Sequence, residues 1–157
     1  MLAAWAKAKG LTVITLVADI QKFYEQVDHS DLRKEAEATG FNLKLLRCLC
    51  VLYQGDRTIS YRGAASQVFP VWGTIIAGCS CATSVAKLLL WRTLSSITAA
   101  CPVVRARNVV DDVSLQAAGP HNTVVNQIST ATSALLASLG EKKLPLSLSK
   151  AVFLRYF

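Results

Sequence analysis

Acidic side chains are scarce in this chain: ten Asp and Glu stand against seventeen Lys and Arg in 157 residues, a net charge of +7. Charge of either sign is thin, at 17% of residues against 52% hydrophobic, which excludes a disordered polypeptide. Long apolar runs are missing too. Leu88-Leu89-Leu90-Trp91 is bounded by Lys87 and Arg92, far short of the roughly 18 residues a span requires, so no membrane partner is expected. Met1 to Gly10 carries two lysines but no apolar signal core, and its lack of Arg argues against a mitochondrial presequence. Repeats, low-complexity tracts and internal linkers are absent. What remains is one domain, 1–157, large enough for a core and apolar enough to leave surface for something else. A basic domain with a small acidic cluster fits a polyanion met through metal ions, although basic residues also solubilise an apolar chain. The five cysteines are an odd number. Cys48 and Cys50, like Cys79 and Cys81, are two apart in segments that read as helical, where such pairs share no face. They are expected to be small buried hydrophobes rather than zinc ligands, in a reducing intracellular compartment, nuclear or cytoplasmic.

Leu11 to Asp19 is rich in Thr, Val and Ile and predicts a strand. Ser30 is a candidate N-cap for a helix that Gly40 closes. Leu45, Leu46, Leu49 and Leu52 give one helical stripe over Leu43 to Tyr53. After a turn at Gly55-Asp56, Thr58 to Tyr61 and Gln67 to Val71 predict a hairpin around Arg62-Gly63, a small finger-like element over about 56–72. A helix is expected from about Gly78 to Ser96. Pro102 then opens a second hairpin: Val103 to Val110, an Asp111-Asp112 tip, and Val113 to Ala117. Pro120 starts a helix with Val124, Ile128, Leu135 and Leu139 on one stripe, ended by Gly140, and Leu144 to Leu154 forms a final loop and strand. With the small hairpin set aside, the order is βαββαβ, an α+β ferredoxin-like plan of an antiparallel sheet with helices on one face. Its first strand and the second hairpin are neighbours in the sheet centre, so Asp19 is expected close to Asp111 and Asp112.

Asp111 and Asp112 lie inside the apolar run Val109-Val110-Asp111-Asp112-Val113-Ser114-Leu115, and Asp19 ends the first strand. Adjacent carboxylates repel and are costly to desolvate. Three of them brought together suit a hard divalent cation. A type I′ turn at Asp111-Asp112, with Asp19 an ordinary strand end, accounts for the same residues.

Several stretches carry a family resemblance. Asp19-Ile-Gln-Lys22-Phe-Tyr24-Glu25-Gln-Val27-Asp-His29-Ser-Asp-Leu32 resembles the first palm motif of reverse transcriptases of the non-LTR retroelement and group II intron type, D-I-x-K-A-F-D-x-V-x-H-x-x-L. The segment from Glu35 through Leu52-Tyr53 looks like the helix pair that follows. Ala77-Gly78-Cys79-Ser80-Cys81-Ala82-Thr83 lies where that family has Q-G-x-x-x-S-P. Val109-Val110-Asp111-Asp112 is similar to its aromatic-x-D-D motif, and Leu146 to Leu154 to the downstream motif with its lysine, here Lys150. The ordered set spans about residues 11 to 154.

The resemblance implies RNA-directed DNA polymerisation, with RNA template, DNA primer and deoxynucleoside triphosphates as partners. Two Mg²⁺ ions (or Mn²⁺) ~4 Å apart would serve the primer hydroxyl and the leaving pyrophosphate. By the same resemblance Asp19 and Asp111 bridge the metals, Asp112 supports them, and the Ile20 carbonyl adds a ligand. Tyr24 would lie beneath the incoming sugar and exclude a 2′-hydroxyl, where viral RNA polymerases carry an acid. Gly78 would let backbone approach the nucleotide. Lys150 would act near the leaving phosphate. Arg57, Arg62, Arg105 and Arg107 are candidate phosphate contacts, and His29 is expected to be structural.

The departures are specific. Ala77 replaces the family's glutamine, Ala82-Thr83 its Ser-Pro, Val109 its aromatic and Glu25 its aspartate. Fingers and thumb segments are largely missing from the chain, so weak or absent polymerisation in isolation is expected unless a longer parent protein supplies them. An inactive relic that at most binds nucleic acid, another two-metal nucleotidyl enzyme on the same plan, and an interaction domain whose acid pair is only a turn remain as alternatives.

Overall fold

The computed structural model describes residues 9–147 and 149–156; most of the N-terminal stretch read above for targeting lies outside them. In chain order the elements are β1 (Thr12–Asp19), α1 (Phe23–Gln26), α2 (His29–Thr39), α3 (Leu43–Tyr53), β2 (Gly55–Arg57), β3 (Ser60–Tyr61), β4 (Ala64–Ala65), β5 (Phe69–Val71), α4 (Ala82–Ala100), β6 (Val104–Val109), β7 (Asp112–Gly119), α5 (His121–Glu141) and β8 (Val152–Tyr156). They form two compact units: Met1–Gln21 with Leu90–Phe157, and Lys22–Leu89.

The first unit is an α+β layer. Its four strands are ordered β6-β7-β1-β8, every pairing antiparallel, with β1 and β7 in the centre. Residues opposite one another across a pair share a face, so the register sorts every side chain. Leu16, Ala18, Val113, Leu115 and Ala117 are buried on the face that α5 covers. Thr15, Val17, Ser114 and Gln116 are half-buried on the other, where Gln116 donates to the Thr15 hydroxyl at 3.0 Å. The α5 stripe of Val124, Ile128, Leu135 and Leu139 is buried as the spacing predicts, with Ala131 added. Truncating a fully buried residue such as Leu135 to Ala costs ~2–5 kcal/mol. Gly140 does not stop α5, which continues to Glu141. Thr93 of α4 and Ser138 of α5 share a hydroxyl hydrogen bond of 2.6 Å.

In the second unit, α2 begins two residues earlier than expected. Asp28, not Ser30, is the N-cap: its carboxylate accepts the Ser30 N–H at 2.7 Å. Gly40 closes the helix at φ 70°, as predicted. Helix α3 has the expected bounds but a different inner stripe. Leu46, Leu49 and Tyr53 are buried, while Leu45 and Leu52 face outward, because the true stripe lies one position round the helix. The finger-like segment is a nest of two short ladders, β2–β5 outside and β3–β4 inside. Gly55-Asp56 is strand rather than turn. Arg62 and Gly63, at φ 49° and 85°, make the two-residue turn, the positive pair a type I′ hairpin requires.

Candidate functional site

The central register delivers the acids to one place. Asp19 ends β1 directly opposite Asp112, the first residue of β7. The hairpin tip is Val110-Asp111, since Val109 pairs with Asp112; the expected Asp111-Asp112 tip is displaced by one residue. Buried Ile20 donates its N–H to the Asp111 carbonyl at 3.0 Å and so fastens the tip to the end of β1. On the other flank the Ser147 N–H donates to the Asp19 carbonyl at 2.7 Å, and the Lys150 N–H to the Ser147 carbonyl at 3.0 Å. These bonds bring Lys150 round so that its Nζ donates to Asp19 Oδ2 at 2.7 Å. Asp19, Ile20, Asp111, Asp112 and Lys150 therefore gather at one end of the sheet.

The electrostatics are unbalanced: three carboxylates face one ammonium. Lys150 is held above the ordinary lysine range, first by its hydrogen bond to Asp19 and the attraction of that charge, then by Asp111 and Asp112. The donors are hard oxygens, the chemistry of a divalent-cation site. Among the described residues, however, no three His, Cys, Asp or Glu side chains are set closely enough to hold a metal ion as they stand. Lys150 occupies Asp19 instead. An ion would have to displace that ammonium and draw the carboxylates inward.

The tip itself is strained. Val110 has φ 61°, a left-handed conformation that a β-branched residue adopts only under constraint. With Asp111 outside that region, the turn has the positive first position of type II′, which glycine normally fills. Such strain costs ~1–3 kcal/mol and clusters at functional sites.

The nucleotide-binding candidates belong to the second unit. Tyr24 lies in α1, half-exposed and edge-on to Phe23. Its carbonyl accepts the Ile75 N–H at 2.8 Å, which ties α1 to the segment leading to Gly78. Gly78 is exposed at φ 85°, and a Cβ there would meet nothing within 4 Å. Its glycine is thus demanded by backbone conformation, not by helix packing. His29 is structural: Gln54 donates to Nδ1 at 3.1 Å, which leaves Nε2–H to donate to the Thr74 carbonyl at 2.8 Å.

The arginines divide. Arg57 donates to the Tyr53 carbonyl at 2.8 Å at the C-terminus of α3, a capping role that the sequence did not reveal. Arg62 lies over the Tyr61 ring, 5.2 Å from its centroid. Arg105 and Arg107 are exposed and pair with Gln116 and Ser114, which places them on the sheet face that α5 leaves open.

The cysteines overturn their expectation. Only Cys101 is buried; Cys48 is exposed, and Cys50, Cys79 and Cys81 are half-buried. Cys79 and Cys81 are not helical either, because α4 starts at Ala82. The Ala77-Gly78 pair was the signal for this turn, since glycine at positive φ ends helical register just before Cys79.

No protein-family model matches the chain, and no curated protein is similar to it in sequence. Solved structures share its fold. Apo telomerase from Candida tropicalis, truncated from its C-terminal domain, aligns at a TM-score of 0.66 and 10% identity, over 98% of this chain and 33% of that one. Telomerase from Candida albicans, in complex with a TWJ fragment of telomeric RNA, aligns at 0.65 and 12%, over 96% and 29%. The chain spans about a third of the length of these telomerases. At such identity the likeness is one of fold. Among the described residues no helix is long and apolar enough to cross a membrane.

Proposed function

We propose that this chain is the ferredoxin-like palm of an RNA-directed DNA polymerase, a reverse-transcriptase fragment that works on an RNA template, a DNA primer and deoxynucleoside triphosphates. The observation that carries the reading is the meeting of Asp19, Asp111 and Asp112, from positions some ninety residues apart, beside Lys150. The fold shared with part of telomerase, itself a reverse transcriptase, supports it.

In this reading Asp19, Asp111, Asp112 and the Ile20 carbonyl hold two Mg²⁺ ions, for which Mn²⁺ can substitute. Bound there, such ions would supply activation of the primer hydroxyl and neutralisation of the leaving pyrophosphate. Lys150 releases Asp19 and turns its ammonium to the leaving phosphate, as a point charge or proton donor. Tyr24 presents a ring edge that a 2′-hydroxyl would strike, and Gly78 offers backbone to the nucleotide without a side chain in the way. Arg105 and Arg107, on the open sheet face, contact backbone phosphates; Arg57 and Arg62 serve the same end from the hairpin segment.

The test has two arms. Mn²⁺ binding, followed by electron paramagnetic resonance, is expected in the parent chain and lost in Asp19→Asn and Asp111→Asn. Primer extension on RNA with Mg²⁺ is expected to be weak and to vanish in Asp111→Ala. Ion binding without extension would identify a relic, nucleotide turnover without primer or template a different two-metal enzyme. Mn²⁺ binding that ignores both substitutions would sink the reading.

A further inference from the structure

The turn that leads into α4 assembles a second reactive centre, one that plays no part in the proposed polymerase chemistry. Tyr53, fully buried at the end of α3, donates its hydroxyl to Cys79 Sγ at 3.4 Å. The Ala82 N–H, at the start of α4, donates to the Cys79 carbonyl at 2.9 Å and closes a turn that carries both Cys79 and Cys81. Cys50 lies about one turn back along α3 from Tyr53. All these cysteines are free thiols. Among the other thiols, Cys48 is exposed and Cys101 is buried.

Donors that converge on a sulfur favour its anion. Cys79 is held below the ordinary thiol range, by the Tyr53 hydroxyl first and then by the nearby backbone of Cys81. Its neighbours are pushed the other way, since burial raises both Cys50 and Tyr53. One group is thereby readied as nucleophile while those around it keep their protons. Cys79 and Cys81 lie in a turn, not a helix, so the argument that residues two apart share no face does not apply. Two residues so close in one turn fall within the ~4.4–6.8 Å Cα separation of a disulfide.

We propose that Cys79 is a peroxide-sensitive thiol and Cys81 its resolving partner, the two closing a reversible disulfide. The Cys79 thiolate attacks one oxygen of hydrogen peroxide; the O–O bond breaks, Cys79 becomes a sulfenic acid, and hydroxide leaves to take a proton. The Cys81 thiol then attacks the sulfenic sulfur. The S–O bond breaks, the S–S bond forms, and hydroxyl departs with the Cys81 proton as water. Two thiols lose two electrons and one peroxide becomes two waters. A dithiol reductant reverses the change.

The experiment uses the reduced full chain, hydrogen peroxide, dimedone as a sulfenic-acid trap, and mass spectrometry of the tryptic peptide spanning 63–87, which contains both cysteines. In the parent this peptide should lose two hydrogens before Cys48 reacts, and dithiothreitol should restore them. In Cys81→Ser the dimedone adduct should accumulate on Cys79. Tyr53→Phe, which keeps the buried ring, should slow the reaction several-fold while circular dichroism stays unchanged. Oxidation of Cys48 ahead of Cys79 would overturn the proposal, as would linkage of the 63–87 peptide to the Cys50 peptide instead of internal closure. An unchanged rate in a folded Tyr53→Phe variant would also defeat it. None of these readouts depends on polymerase activity.

Discussion

At the acid end of the sheet three carboxylates meet one cation, whereas at the turn before α4 one sulfur meets a buried hydroxyl donor. The first place holds more negative charge than the protein neutralises; the second sets a hydroxyl donor against a sulfur, which favours its anion. Surplus charge calls for something from outside, whereas a donor tunes a group already within. The two places also arise differently. Strand register assembles the acids from distant parts of the chain, while the thiol and its donors depend on where one helix begins.

The largest way to break this contrast is Asp111→Ala. Divalent-ion-dependent primer extension should fall at least about a hundredfold, the order lost when a charge partner of a transition state is removed. Cys79→Ser should leave Mn²⁺ binding untouched; a loss would join what we separate. Next is Lys150→Met. With the competing ammonium gone, Mn²⁺ should bind several-fold more tightly, measured by titration at neutral pH. Weaker binding would mean that Lys150 helps the ion rather than stands in for it. The same ion pair carries a pH signature. Its stability is fully present below the ordinary lysine value of 10.5 and is lost as pH rises through the raised folded value, so alkaline denaturation should separate parent from Lys150→Met only below that window.

Smaller effects sharpen the comparison. Val110→Gly should raise unfolding free energy by ~1 kcal/mol in urea titrations, because the tip then adopts its left-handed φ without strain. Asp28 is a carboxylate treated as the sulfur is, held low first by the Ser30 N–H. Asp28→Ala should cost ~1 kcal/mol at neutral pH. That loss should shrink as pH falls below the ordinary aspartate value of 3.8, where the parent carboxyl takes up its proton.

Much of the sheet was legible because a period of two leaves little freedom: once Leu16 pairs with Leu115 on the core face, Asp19 must oppose Asp112. Helix α5 was legible for the same reason at its own period. Lys150 could be named from its motif, but not its ion pair with Asp19, which depends on backbone bonds through Ser147. The inner stripe of α3 was misread because leucines outnumber the positions that can be buried; Tyr53 took one of them. The cysteines were misread through a helix start placed too early, and with it went the thiol centre. The bond from Arg57 to the Tyr53 carbonyl was not legible, because a basic side chain in sequence does not reveal which helix end it can reach.

The sheet-bearing unit is not continuous along the polypeptide. It opens with β1, is interrupted after Gln21, and resumes at Leu90. Because the entropy of closing a loop rises only with the logarithm of its length, the interruption can grow or shrink at little cost to the strands on either side. Length changes in the loops of the interior segment therefore leave the carboxylates anchored by a pairing that never passes through it.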